Sequence, residues 1–368
     1  MQKRLVLLGG GHAHLSVLAN LRRFTDNSID VVVVQPARFH YYSGMGPGML
    51  GSTYEPDQIR FDTQSRVEQG GGTFLENRAV RIVPEQRTVI LDDNTSLSYD
   101  ALSCNTGSEV PDITGGEHPS VITAKPIAGL IRARTAITDM VARNRAIHIG
   151  IIGGGPSAVE LACNVRQLAI TLNAANLRIT LFAGRSILTN KPPRLQHIVR
   201  RYLTKRAVIL VEGTYADVIS DGTIRTASAE HYSCDLILVA TGVNPSPLYH
   251  EAGLSREDGI GLAVNEYLQS PVQDTIFGGG DCIDFVNEPL DKVGVYAVRQ
   301  NPILLHNLHA SLTGKALQSF SPGGSYLLIY NLGCGHGVFM KGPLIFSGLL
   351  AFRIKDFIDR RFMRRYQN

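Results

Sequence analysis

Short apolar runs alternate with amphipathic stretches along most of the chain, and two of these units are near copies of one another. Leu5-Val6-Leu7-Leu8 runs into Gly9-Gly10-Gly11, and Ile149-Gly150-Ile151-Ile152 runs into Gly153-Gly154-Gly155. An apolar run of this length that stops at glycines predicts a buried parallel strand. The stretches that follow predict helices over residues 13–24 and 157–171. Each helix leads to another apolar run, residues 29–34 and 177–182. A further pair, residues 99–107 and 234–242, reads as a buried strand ending in Thr106-Gly107 and Thr241-Gly242. The pattern predicts an α/β chain with a duplicated strand–turn–helix unit.

A glycine turn between a strand and a helix suits a dinucleotide. The turn lets the backbone approach a pyrophosphate, and the helix start offers free N–H groups and the positive end of its dipole. In the first copy Gly9, Gly11, His12, Ala13 and His14 form the candidate site, with His14 where a third glycine is usual. Gln35 ends the paired strand, where a carboxylate usually holds the ribose; its amide can still hydrogen-bond there without charge assistance. In the second copy the candidates are Gly153, Gly155, Pro156 and Ser157. Its paired strand ends in Ala183-Gly184-Arg185, which lacks an acid and offers Arg185 to a 2′-phosphate. Two unequal copies predict two dinucleotides, and leave NADH and NADPH both open at the second.

Composition narrows the class. The chain has 368 residues, 44% hydrophobic and 18% charged, with a formal net charge of +4. That charge is too small to imply nucleic acid. No apolar run is long enough for a membrane span. The five cysteines are far apart, without the tight pairs of a zinc site or a local redox disulfide, and fit a reducing cytoplasm. His12 and His14, two residues apart, do not share a helix face, so no metal is expected.

A fifth element, Asp274-Thr275-Ile276-Phe277-Gly278-Gly279-Gly280-Asp281, completes a resemblance that covers essentially the whole chain. In this order the elements resemble the two-dinucleotide-binding-domain flavoproteins of the pyridine nucleotide–disulfide oxidoreductase superfamily. Within it the chain is similar to type II NADH:quinone dehydrogenases and to the dehydrogenase-like module fused to some selenide, water dikinases. Residues 42–48, Lys125-Pro126, Glu160, residues 292–300 and residues 349–363 carry that likeness.

The resemblance implies two Rossmann-like domains, the second inserted in the first. FAD would be held by residues 1–110 and 245–325, NAD(P)H by 111–244, and 326–368 would form a C-terminal amphipathic helical segment. It places Asp281 on the ribityl chain of FAD and adds Ser43, Gly44, Pro47, Thr106, Gly107 and Lys292 to that site, with Thr241 and Gly242 at the other. It puts Lys125 near the flavin, Glu160 on the nicotinamide side, and Gln300 with Tyr296 toward a quinone-like acceptor. Tyr296 stands where type II enzymes carry a glutamine. Residues 43–48 occupy the place of the redox cysteines of disulfide-reducing relatives, yet contain none. The implied activity is transfer from NAD(P)H through FAD to a quinone-like acceptor. A sulfide:quinone oxidoreductase using Cys163 and Cys334, or a non-catalytic flavoprotein sensor, are the alternatives.

From Pro343 onward the chain reads as helix, with Leu350, Ile354, Phe357 and Ile358 on one side and Arg353, Lys355, Arg360, Arg361, Arg364 and Arg365 among them. An apolar stripe with basic neighbours suits a peripheral contact with the inner face of a cytoplasmic membrane. A homodimer contact, or docking on the flavin domain, would present the same stripe.

Overall fold

The computed structural model describes residues 2–111, 115–143, 145–218 and 222–367. Two five-stranded parallel sheets dominate it. The first runs, in spatial order, Thr73–Glu76, Asp30–Gln35, Arg4–Leu8, Ala101–Cys104 and Ile276–Gly278. The second runs Val208–Val211, Leu177–Phe182, Ile147–Ile152, Leu236–Val239 and Val121–Thr123. Strands buried on both faces explain the near-continuous apolar runs. The strand Ile276–Gly278 joins the first sheet only after the chain has built the second, so one unit interrupts the other.

The duplication extends further than the glycine turns. Each half carries a three-stranded antiparallel sheet, Ala79–Val83 with Thr88–Leu91 and Ser96–Ser98, and Ala216–Val218 with Thr223–Thr226 and His231–Ser233. After the 20-residue helix Gly294–Thr313 comes a third antiparallel sheet, Leu328–Asn331, Gly337–Lys341 and Leu344–Gly348, and then the helix Leu349–Tyr366. Residues 344–348 are therefore a strand, not the start of a helix. The turn at Gly342, φ +55°, closes a hairpin that buries Ile345.

The helix after the second glycine turn spans Pro156–Thr171 as expected. The one after the first turn does not run unbroken. A 3-10 turn, His12–His14, leads into Leu15–Ala19, and the chain resumes helix only at Arg22–Thr25. Asn20 interrupts it: its side-chain amide donates to the Ser16 carbonyl at 2.8 Å, competing with the backbone ladder.

Three apolar clusters follow the two sheets. One packs the first sheet against the helix Gly294–Thr313 through Leu304, Leu308 and Leu312. Another lies on one face of the second sheet and takes in Met45, Met49, Leu50 and Tyr54 from the first half, with Leu332, Val338 and Met363 from the C-terminal segment. The third joins Ile152, Phe182, Ile237 and Val239 of the second sheet to Val218 and Ile224 of its antiparallel sheet. Residues 45–54 are thereby wedged between both halves and the C-terminal helix.

Candidate functional site

The two glycine turns have the same backbone logic. Gly9 N–H donates to the Val34 carbonyl and Gly153 N–H to the Phe182 carbonyl, each at 2.8 Å. A Cβ on Gly9, φ +85°, would lie 2.3 Å from the Asn105 carbonyl oxygen; one on Gly153 would lie 2.2 Å from that of Ala240. In both halves the glycine turn thus seats against the residue that precedes the Thr-Gly turn. Gly107, Gly155 and Gly242 face open space, as do the exposed Pro156 and Ser157 at the start of their helix.

Side chains bind the first turn together in ways the motif does not encode. Asn105, buried, donates from Nδ2 to the Gly279 carbonyl at 2.6 Å, and its Oδ1 occupies the space a Cβ on Gly11 would need. It joins the Gly9–Gly11 turn to the Gly279–Asp281 turn. His14, fully buried beside Ala13, brackets the same turn, with Nδ1 2.6 Å from the Gly9 carbonyl and Nε2 2.8 Å from the Ser103 hydroxyl. Burial lowers its pKa to about 4, so the ring is neutral. Gln35 does not reach outward. Its Oε1 accepts the Gly10 N–H at 2.8 Å and its Nε2 donates to the Ala37 carbonyl, so both ends of the expected ribose contact already brace the loop.

Asp281 and Lys125, expected in one site, do meet. The ammonium lies 2.6 Å from Asp281 Oδ2 and 2.9 Å from Ser108 Oγ, and Ser108 donates to the same carboxylate at 3.0 Å. Burial opposes the charge on Asp281, but Lys125 and Ser108 outweigh it and hold its carboxyl below the usual range. Gln300, 1% exposed, accepts the Gly280 N–H at 2.7 Å and so positions this turn. Among the described residues its Nε2 has no partner, and neither has Nε2 of His12. Burial, with Lys125 adding to it against the opposing pull of Asp281, lowers the pKa of His12 to about 4. Two buried ring and amide nitrogens without partners beside an open glycine turn fit a polar cofactor laid across this turn.

Lys292 and Tyr296 line one small cavity with Gly280 and Asp281 of that turn and with Gln300. Lys292 is engaged by Asp284 at 3.0 Å and by the Ile283 carbonyl, bracing a loop. Tyr296, half-buried one helix turn before Gln300, stacks edge-to-face on Tyr326 with ring centroids 5.5 Å apart. Thr106 hydrogen-bonds the Tyr249 hydroxyl at 2.7 Å. Thr241, Gly242 and Arg185 lie exposed beyond the C-terminal ends of two interior strands of the second sheet, Leu236–Val239 and Leu177–Phe182.

A buried ionic cluster that hydropathy hides lies where the halves meet the C-terminal helix. Lys355, 9% exposed, donates to Asp359 Oδ2 and to the Gly44 carbonyl, both at 2.7 Å. Asp359 also accepts from the Tyr42 hydroxyl at 3.0 Å. Glu160 accepts the Asn331 N–H at 2.6 Å, and burial, only partly offset by Lys355, raises its pKa to about 7. Burial works against the Lys355 charge, yet Asp359 and Glu160 prevail and keep it protonated. Ser43, Gly44 and Pro47 lie in the wedge beside this cluster, Pro47 starting the helix Gly46–Leu50. Its outward side carries the opposite chemistry to its core: Leu350 is 63% and Phe357 59% exposed. The apolar stripe therefore faces away from the protein, and the i, i+4 ion pair faces inward.

The five cysteines are free. Cys163 is fully buried and its pKa is pushed up to about 12, chiefly by burial. Among the described residues no group of three or more His, Cys, Asp or Glu side chains is placed to hold a metal, and no helix is long and apolar enough to cross a membrane.

Known proteins share this arrangement. Ferroptosis suppressor protein 1 of Xenopus tropicalis is 26% identical over 352 residues, covering 91% of this chain and 87% of that protein. The internal alternative NAD(P)H-ubiquinone oxidoreductase A1 of Arabidopsis thaliana mitochondria is 24% identical over 319 residues, covering 77% and 61%. The sulfide:quinone oxidoreductase of Aquifex aeolicus superposes with a TM-score of 0.81 at 15% identity, over 100% of this chain and 92% of that one, a likeness of fold. Residues 3–307 match the pyridine nucleotide-disulphide oxidoreductase family, and the chain belongs to it, an oxidoreductase whose paired dinucleotide domains serve FAD and NAD(P)H.

Proposed function

We propose that the protein takes a hydride from NAD(P)H and passes electrons through FAD directly to a quinone-like acceptor at a membrane surface. One observation carries the reading. The segment that would bear a redox disulfide, residues 43–48, holds no cysteine and is instead packed under the C-terminal helix through Lys355 and the Gly44 carbonyl. Electrons therefore have no thiol to visit in this segment, and on this reading they leave by direct contact. The names of the relatives, two of which contain quinone or ubiquinone, support that class of acceptor.

FAD, when bound, supplies the two-electron redox chemistry. The chain's own residues bind, orient and tune. Asp281 and Ser108 present acceptor and hydroxyl groups suited to the ribityl chain, and Gln300 holds their turn in place. Lys125 keeps a positive charge beside them, favouring negative charge that accumulates on reduction. Glu160, with a pKa near neutrality, can hold or release a proton at its carboxyl oxygen. The Cys163 thiol is shifted away from the thiolate that a sulfur relay requires, which argues against sulfide oxidation.

The outward Leu349, Leu350 and Phe357, with Arg353, Arg361 and Arg364 exposed along the same helix, suit an anionic lipid surface. The acceptor, on this reading, arrives from the lipid.

The test is anaerobic. NADPH or NADH should bleach the flavin absorbance of the purified protein, and a short-chain quinone should restore it; Cys163→Ser and Cys334→Ser should change neither rate. Bleaching by sulfide that depends on those thiols, or a reduced flavin that no quinone reoxidises, would overturn the proposal.

A further inference from the structure

We infer that the second nucleotide site selects the 2′-phosphorylated dinucleotide, NADPH over NADH, with Arg185 as the phosphate contact and Tyr215 as the adenine platform. The inference rests on the oxidoreductase reading above and specifies the substrate of that site.

Selection for an unphosphorylated ribose needs a free carboxylate at the end of the strand that follows the glycine helix. Here Leu177–Phe182 is followed by Ala183-Gly184-Arg185, with no acid. The neighbouring strand does end in an acid, Glu212, but its acceptors are already engaged. Oε1 takes the Ile187 N–H at 2.7 Å and Arg200 Nη2 at 2.9 Å, and Oε2 takes Arg200 Nε at 3.2 Å. A carboxylate held two-pronged by a guanidinium and by a backbone N–H has little left for a pair of ribose hydroxyls.

The same bonds fix the loop that carries Arg185. Leu188 N–H donates to the Gly154 carbonyl at 2.7 Å, and Gly213 N–H to the Gly184 carbonyl at 2.7 Å. Residues 184–188 are therefore clamped directly onto the glycine turn. From this clamped loop Arg185 projects exposed, and among the described residues its guanidinium has no hydrogen bond or ion pair. Arg200, the other arginine nearby, is consumed by Glu212.

A second feature points to a nucleoside at the same place. Tyr215 is 67% exposed, the most exposed large hydrophobic side chain among the described residues. Its ring lies against Gly184, where a Cβ would come within 3.0 Å of Cε1 and where φ is +63°. The backbone has been cleared to seat that ring beside Arg185. An aromatic ring against Gly184, with an exposed guanidinium on the next residue, offers a stack for adenine and a fork for a phosphate monoester. A bare ribose gains nothing from the fork and misses the carboxylate.

The experiment uses the FAD-loaded full chain and titrates NADP+ and NAD+ by calorimetry, with 2′-AMP and 5′-AMP as competitors. NADP+ should bind at least about tenfold more tightly than NAD+, the size expected of one charge-assisted contact. At equal concentration the 2′-AMP should compete more strongly than the 5′-AMP, which has the adenine stack but no 2′-phosphate. Arg185→Ala should bring NADP+ to the level of NAD+ and leave NAD+ unchanged, which also reports that the variant is folded. Tyr215→Ala should weaken both by the same factor. Equal or tighter binding of NAD+, or equal losses of both in Arg185→Ala, would overturn the selectivity. Binding of neither dinucleotide, with flavin still bound, would overturn the oxidoreductase reading on which it stands.

Discussion

His14 shows how one side chain can replace a glycine by filling the space a glycine would have left. Its neutral ring joins the Gly9 carbonyl to Ser103, and His12 beside it is equally reluctant to protonate. In the unfolded chain each ring takes up a proton near pH 6.5, but in the fold only near pH 4. Stability present above pH 6.5 is therefore lost as pH falls toward 4, at about 1.4 kcal/mol per pH unit for each ring, and the loss levels off below 4. Urea midpoints measured across that range should show the slope, to which the buried His40, its pKa lowered to about 3, adds in the same direction, and His14→Gln should lower stability at neutral pH while removing its own ring's share of the slope. At Asp281 the expected effect is on cofactor content. Asp281→Asn removes the charge that Lys125 faces, and flavin absorbance per chain after purification should fall severalfold. The glycine turns were legible from a local motif, and the meeting of Asp281 with Lys125 from the family resemblance. Asn105 was not, because its partner Gly279 is 174 residues away and nothing periodic marks an asparagine at the end of a strand.

The C-terminal helix and its apolar stripe were legible; that its buried face would carry Lys355 and Asp359 was not. Hydropathy sends lysine and aspartate outward and leucine inward. Here Ala351, Lys355, Asp359, Met363 and Tyr366 form the buried face. An opposite pair at i, i+4 can go inside when its remaining hydrogen bonds are met, as Gly44 and Tyr42 meet them. Lys355→Met alone leaves Asp359 buried without its partner and should cost about 3–5 kcal/mol in urea unfolding. Changing both, Lys355→Met with Asp359→Leu, should recover most of that loss. The outward face should behave independently. Leu350→Glu with Phe357→Glu should leave the melting temperature within a degree or so, since surface changes away from contacts typically stay within about 0.5 kcal/mol. The same double change should abolish flotation with anionic vesicles; undiminished flotation would remove the lipid contact.

At the scale of the molecule, the last helix is a clasp as well as a surface. Asp356 accepts from Tyr54, the Tyr366 hydroxyl meets Ser16 and the Tyr366 carbonyl accepts from Arg66. Deleting residues 343–368 should therefore lower the melting temperature and the flavin content together, so that point substitutions are the cleaner probe of membrane contact. The duplicated sheets were readable from strand periodicity and the glycine turns, whereas the third sheet was not, since its hairpin at residues 341–344 reads as the lead-in to a helix.

The two halves also differ in how firmly their glycine turns are held. Gln35, His14, Asn105 and Gln300 each lend a side chain to the turns of the first half. Among the described residues no side chain does so for Gly153–Gly155, whose turn rests on backbone bonds alone. A catalyst that cycles between two dinucleotides needs one to stay and the other to depart after every turnover. The stiffened turn suits the lodger and the pliant one the visitor: flavin should survive prolonged dialysis, while oxidised nicotinamide dissociates fast enough never to limit the cycle.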